Sequence, residues 1–104
     1  MAPRTCCTVA SKGAVVSMTR SLASELGQYN IYVNAIAPGL TMSEAVAVNP
    51  DWTGKASAAG IAARAIQRDQ VPADLISTLM YLCSDDSNFV TGQIISVDGG
   101  ALMR

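Results

Sequence analysis

The chain has 104 residues, of which 50% are hydrophobic, and this is enough for one small domain with a core of its own. Its formal net charge is -1 and its basic residues are scattered, which excludes the basic stripe that a nucleic-acid partner requires. Every apolar stretch is shorter than the roughly 18 residues that span a bilayer, and residues 1–7 lack an apolar signal core. The composition therefore predicts a cytoplasmic protein with no nucleic-acid or membrane partner.

The first predicted element is an amphipathic helix from Ala10 to Leu26. Apolar residues recur along it at the helical spacing: Ala14, Val15, Met18, Leu22 and Leu26. Gly27 follows directly and is expected to end the helix as a left-handed cap, because glycine adopts positive φ without strain.

The second predicted element is a short strand. Residues 31–37 form a nearly continuous apolar run with β-branched members, which is typical of a strand buried on both faces of a parallel sheet. Pro38-Gly39 closes this run. Chemistry is expected in the loop that follows, because open α/β sheets bind ligands beyond the carboxyl ends of their strands.

Residues 40–70 are rich in alanine and interrupted by Asn49-Pro50 and Gly54, which predicts a mobile, partly helical excursion with a helix from about Ser57 to Ile66. Pro72 is then expected in the first turn of a further helix that ends near Cys83 or Ser84.

Gln93 to Val97 is predicted to form the last strand, and Gly99-Gly100 to let the chain leave it by a sharp turn. The three cysteines cannot all pair within one chain, and without histidine they offer no zinc-ligand spacing. We expect reduced thiols and no metal site, which is consistent with the cytoplasm.

Three segments together resemble a known family. Thr8-Val9-Ala10-Ser11-Lys12 resembles the Tyr-x-Ala-Ser-Lys signature of the short-chain dehydrogenases/reductases, with Thr8 in place of the tyrosine. Val33–Gly39 and Phe89–Gly100 match further markers of that family in its order and spacing. The resemblance implies an α/β fold in which residues 1–104 are a single partial domain, the C-terminal fragment of a Rossmann-type doubly wound parallel sheet with about two strands and three to four helices.

The resemblance implies catalytic positions for Thr8 and Lys12. The family's tyrosine is the general acid/base, and its lysine binds the nicotinamide ribose and lowers the tyrosine pKa, as a neighbouring cation does. A threonine hydroxyl does not normally titrate and lies nearer the backbone than a phenol, so Thr8 is expected to be inactive in proton transfer. The alternatives are an N-terminal helix cap for Thr8 and an ordinary exposed helix lysine for Lys12. None of the three tyrosines matches the motif: Tyr29, Tyr32 and Tyr81.

Further contacts follow from the same resemblance. The family's loop after its sixth strand corresponds to Pro38, Gly39, Leu40 and Thr41, where backbone groups contact the nicotinamide amide and a threonine reaches the cofactor's phosphates. The family places a variable substrate-covering lid where this chain has residues 42 to about 65, so residues 40–70 are interpreted as a lid-like segment. Three of its residues are candidates for contact with substrate or, equally, for packing within a loose helix pair: Met42, Val46 and Trp52. Asp98 is expected to form a turn rather than to act in catalysis.

Three hypotheses for function remain open. The first is an NAD- or NADP-dependent oxidoreductase of alcohols or ketones, truncated and inactive as an isolated chain because no glycine-rich phosphate cradle is visible. The second is a non-catalytic module that self-associates or binds a dehydrogenase subunit, since a two-stranded sheet is marginally stable alone. The third is an incomplete gene model or a cloned piece of a full-length dehydrogenase. Under the first two, a homo-oligomer or a dehydrogenase subunit is the expected partner.

Overall fold

The computed structural model describes residues 3–102. Its first element is a 24-residue helix, α1, Pro3–Leu26. The predicted helix is confirmed, but it begins seven residues earlier than Ala10, and its first residue is a proline, whose missing backbone N–H costs nothing in a first turn. Thr8 therefore lies inside the helix, and its predicted role as the N-terminal cap is wrong.

The end of α1 differs from the prediction. Gly27 does not adopt the left-handed conformation; the residues Gly27–Tyr29 tighten into a 3-10 turn, and Asn30 takes that conformation with φ 57° and ψ 32°. The Asn30 amide donates to the Gly27 carbonyl at 3.0 Å. Asparagine tolerates this region better than most residues because its short polar side chain can bond locally.

The sheet consists of two parallel strands, β1, Ala35–Pro38, and β2, Ile94–Val97. Ala35 lies opposite Ile94 and Pro38 opposite Val97, so the carboxyl ends of the strands lie side by side. The predicted first strand is confirmed in type and begins four residues later than residue 31. The predicted burial of β1 on both faces is wrong: its residues are half-buried or exposed, because one partner strand and its helices cover the pair only in part.

The crossover between the strands carries three helices: α2, Glu44–Ala47; α3, Lys55–Ala62; and α4, Ile76–Leu82. The helix predicted from about Ser57 to Ile66 is present, displaced toward the N-terminus. Pro72 opens a 3-10 turn, Pro72–Leu75, that leads into α4, and Cys83 caps the end of α4, as predicted. None of the helices within residues 3–102 is long and apolar enough to cross a membrane.

The hydrophobic core is small. Among the side chains that the structure describes, Ala23 is the only buried hydrophobic one, and no large side chain is fully buried. Ala23 packs on the turn before β2, since a Cβ placed on Gly92 would lie 3.4 Å from the Ala23 Cβ. Large apolar side chains on α1 and α4 stay exposed, among them Val15, Met18, Ile76, Leu79 and Met80.

Candidate functional site

Thr8 and Lys12 lie one turn apart on α1, and both are exposed. Residues four apart on a helix share a face, so the spacing of the signature is kept. The Ser11 hydroxyl between them donates to the Thr8 carbonyl at 2.8 Å, a local contact within the helix. Lys12 is thus placed to interact with a group outside the helix, and its role in cofactor binding stays a prediction.

The predicted binding loop, Pro38–Thr41, leaves the carboxyl end of β1. The Gly39 amide donates to the Val97 carbonyl at 3.0 Å and so extends the pairing with β2 by one bond. The Thr41 hydroxyl donates to the Gly39 carbonyl at 3.0 Å and closes a tight turn. The loop therefore has a defined conformation at the edge of the sheet where ligands bind in open α/β folds.

Gly39 is required by the chain's own packing. A Cβ at this position would lie 2.8 Å from Gln70 Oε1 and 3.1 Å from the Cα and Cβ of Asp98. Real Cβ atoms essentially never approach another atom to 2.8 Å, and 3.1 Å is tighter than most real contacts, so a larger residue would displace the Gln70 side chain, the loop or the turn after β2. Glycine serves here for close approach rather than for positive φ.

Two buried polar residues behind the loop were missed by the sequence analysis. Arg64 and Gln70 are each only 6% exposed. Arg64 Nη2 donates to the Leu40 carbonyl at 2.6 Å, and Gln70 Nε2 donates to the Val97 carbonyl at 2.6 Å. Hydropathy alone places arginine and glutamine on the surface, so no signal in the sequence distinguished them.

Arg68 and Asp74 form a bidentate pair, the one ion pair among the described residues. The guanidinium donates to the two carboxylate oxygens at 2.8 and 2.6 Å, and the Val71 amide donates to Oδ2 at 2.8 Å. The bonds from Arg68 and then from Val71 hold the pKa of Asp74 well below its usual range. The hydrogen bond with Asp74 raises the pKa of Arg68. The pair anchors the start of the 3-10 turn before α4.

A cavity of about 170 Å³ lies between the segment 64–74 and the end of β2. Seven residues line it: Arg64, Ile66, Arg68, Gln70, Asp74, Val97 and Gly99. Pockets that hold ligands of drug size measure about 300–1,000 Å³, so this cavity is too small for a dinucleotide.

The other two resemblance segments have structural roles. Asn34 Nδ2 donates to the Val90 carbonyl at 2.9 Å, and its Oδ1 accepts the Gln93 amide at 3.0 Å, which joins the two strands at their amino ends. Asp98 accepts the amides of Gly100 and Leu102 at 3.0 and 3.1 Å. Its predicted role in the turn is confirmed, as is the turn itself, since Gly99 and Gly100 both have positive φ.

The three residues predicted for a substrate pocket differ in burial. Met42 and Val46 are half-buried, and Trp52 is exposed in the turn between α2 and α3. None of the three lines the cavity of about 170 Å³ beside β2.

Comparison with known proteins decides the family. Residues 1–101 match the family model described as enoyl-(acyl carrier protein) reductase. A solved short-chain type dehydrogenase/reductase from Mycobacterium ulcerans is 35% identical with a TM-score of 0.81, over 88% of this chain and 33% of that one. This chain belongs to the short-chain dehydrogenase/reductase family.

Relatives within the family have named activities and ligands. The 3alpha-hydroxysteroid dehydrogenase of Mediterraneibacter gnavus is 44% identical over 99 residues, which are 95% of this chain and 38% of that protein. A 3-oxoacyl-[acyl-carrier protein] reductase from Brucella melitensis, solved with bound NAD, is 34% identical with a TM-score of 0.75, over 90% of this chain and 33% of that one.

This short-chain dehydrogenase/reductase chain thus spans between a third and two fifths of the length of the relatives it matches. The predicted α/β class with a parallel sheet is confirmed, and the similar solved structures have the Rossmann fold.

Proposed function

We propose that this chain carries the nicotinamide-facing part of an NAD- or NADP-dependent oxidoreductase of alcohols or ketones, and that alone it does not turn over substrate. The observation that carries the proposal is the joint presence of exposed Lys12, one turn after Thr8, and the closed loop Pro38–Thr41 at the carboxyl end of β1. Membership of an oxidoreductase family supports it.

The described residues fit one end of a nicotinamide dinucleotide. Lys12 offers an ammonium group for a ribose hydroxyl, and Pro38, Gly39, Leu40 and Thr41 offer backbone groups and a hydroxyl for the carboxamide and the nearest phosphate. When bound, the cofactor supplies the hydride. Within residues 3–102, however, no glycine-rich turn links a strand to a helix as a phosphate cradle. We therefore expect weak binding.

Thr8 limits the chemistry. Lys12 would stabilise an anion one turn before it on α1, but an aliphatic hydroxyl has no accessible anionic form at neutral pH, whereas a phenol with a reference pKa of about 10 can be brought toward it. The chain would therefore bind and orient a cofactor without donating a proton to the substrate oxygen.

The test is calorimetric titration of the chain with NADH and with NADPH. Lys12→Ala should abolish binding, while Lys55→Ala is the matched control, because Lys55 is the other lysine and lies at the start of α3. Equal loss in both variants, or no binding by a folded wild-type chain, would contradict the proposal. Thr8→Tyr should then give a cofactor-dependent rate where the wild type gives none.

A second candidate function is self-association. It is favoured by the small core and by an apolar groove of about 340 Å³ between β1 and α4, lined by Ile36, Pro38, Pro72, Leu75, Ile76 and Leu79. A second copy of this chain, or a dehydrogenase subunit, would cover this surface. Sedimentation equilibrium tests it: a dimer that Leu79→Glu converts to a monomer supports it, and a stable monomer at high concentration contradicts it.

The cytoplasm is the compartment that we propose. Cys6, Cys7 and Cys83 are exposed and unpaired, and exposed thiols persist in a reducing environment. Fractionation with the epitope-tagged chain would test this location.

A further inference from the structure

Arg64 is a buried cation whose hydrogen bonds go to backbone carbonyls. Its guanidinium donates from Nη2 to Leu40 at 2.6 Å and from Nη1 to Arg68 at 2.9 Å, and no carboxylate pairs with it among the described residues. Burying a charge is unfavourable unless its hydrogen bonds are made. Arg64 thus stays buried through contacts that tie the segment 64–68 to the loop.

Gln70 lies two residues after that segment and packs its side chain against Gly39 of the same loop. Its side-chain amide donates to Val97, and its backbone carbonyl accepts the Met42 amide at 2.7 Å. Its Oε1 is buried without a hydrogen bond and faces Gly39, 2.8 Å from where a Cβ would stand. Leaving a buried acceptor unpaired is unfavourable, so the bond to Val97 and the packing against Gly39 hold this rotamer.

These contacts determine the direction of the loop's peptide groups. The trans peptide is planar, so its C=O and N–H point in opposite directions. The Leu40 carbonyl points toward Arg64, and the Thr41 N–H therefore points to the opposite side. The Met42 N–H donates to the backbone carbonyl of Gln70, so the Thr41 carbonyl of the same peptide group points away from Gln70.

We propose that Arg64 and Gln70 are positioning residues that brace Pro38–Thr41 from behind and so orient the Thr41 N–H toward a ligand. The orientation of the loop stands on the contacts above, and its effect on NAD(P)H rests on the proposed function. Neither side chain touches the cofactor; each acts through the backbone of the loop.

Amide hydrogen exchange tests the brace without any cofactor. In Arg64→Met and in Gln70→Met the Met42 amide should exchange about tenfold faster or more. Arg64→Met removes the bond to the Leu40 carbonyl of the loop, and Gln70→Met removes the bond to Val97 that holds the Gln70 side chain against Gly39. Each variant therefore loosens the packing between the loop and Gln70, whose backbone carbonyl accepts the Met42 amide. Arg68→Met is the matched control: the same residue type in the same segment, with its side chain paired to Asp74 instead of the loop. Unchanged exchange in both brace variants, or an equal increase in the control, would overturn the brace.

Calorimetric titration with NADH tests whether the brace affects cofactor binding. Arg64→Met should raise the Kd for NADH about tenfold, a change of ~1.4 kcal/mol in binding free energy. The melting temperature of Arg64→Met should stay near that of Arg68→Met. Arg64→Lys should recover part of the affinity. A weaker affinity explained entirely by a lower melting temperature would overturn the positioning role. If Arg64→Met does not fold, hydrogen exchange and NADH binding are measured on Arg64→Lys and Gln70→Met instead. If wild type binds no NADH, the proposed function fails, while exchange still decides the brace.

Discussion

Replacing Gly39 with alanine should destabilise the chain through steric overlap alone. The added methyl group would stand 2.8 Å from Gln70 Oε1 and 3.1 Å from the Asp98 Cα. The first contact is with a side chain held by its own hydrogen bond, and the second is with backbone, so neither neighbour yields cheaply. Overpacking of this kind costs about 1–3 kcal/mol, and we expect about 2 kcal/mol for Gly39→Ala.

The assay is urea unfolding followed by circular dichroism, with Gly13→Ala as the control. Gly13 lies inside α1, and nothing stands within 4 Å of a Cβ placed on it. Its replacement should raise stability by about 0.5–1 kcal/mol, because alanine is the better helix former. A cost below about 0.5 kcal/mol for Gly39→Ala, within the range of an ordinary surface substitution, would refute the packing argument.

Two further predictions concern hydrogen bonds. Because Arg68 lowers the folded pKa of Asp74, their pair contributes stability above the unfolded pKa of about 3.9 and loses it as pH falls toward the folded value. The urea midpoint of Asp74→Asn should therefore vary less between pH 5 and pH 2 than that of wild type, and parallel curves would contradict this. Asn34→Ala should cost about 1 kcal/mol in urea unfolding, since it removes the side-chain bonds to the part-buried Val90 carbonyl and the exposed Gln93 amide. A cost no larger than that of an exposed Asn→Ala change would count against this role.

The elements that depend on neighbours in the sequence were predictable. The apolar spacing of Ala10–Leu26 predicted α1, and Gly99-Gly100 predicted the turn after β2, because both signals act within a few residues. The end of α1 was mispredicted because two residues compete for the left-handed position. The 3-10 turn continues past Gly27, so Asn30 is the residue that adopts the left-handed conformation.

Within the candidate site, only the residues that belong to family motifs could be predicted from the sequence. Lys12 and the loop were found from their motifs, whereas Arg64 and Gln70 depend on contacts with residues 24 and 27 positions away. Such contacts leave no local pattern, because a polar side chain that bonds distant backbone has the same sequence signature as one in water. The burial expected for β1 failed for a related reason: hydropathy indicates what a strand would bury, and not whether another element covers it.

The way in which the loop is held bears on what a restored tyrosine could achieve. Thr8 belongs to α1, whose described packing on the sheet runs through Ala23 and Gly92, while the loop is held by the Gly39 amide on Val97 and by Arg64 and Gln70 behind it. The acid/base position and the cofactor loop are thus fixed by separate sets of contacts. Thr8→Tyr would supply the missing phenol without disturbing the loop, and loosening the brace would weaken cofactor binding without altering α1. At a fixed NADH concentration below Kd, activity gained by the first change should therefore fall on adding Arg64→Met, and be retained on adding Arg68→Met.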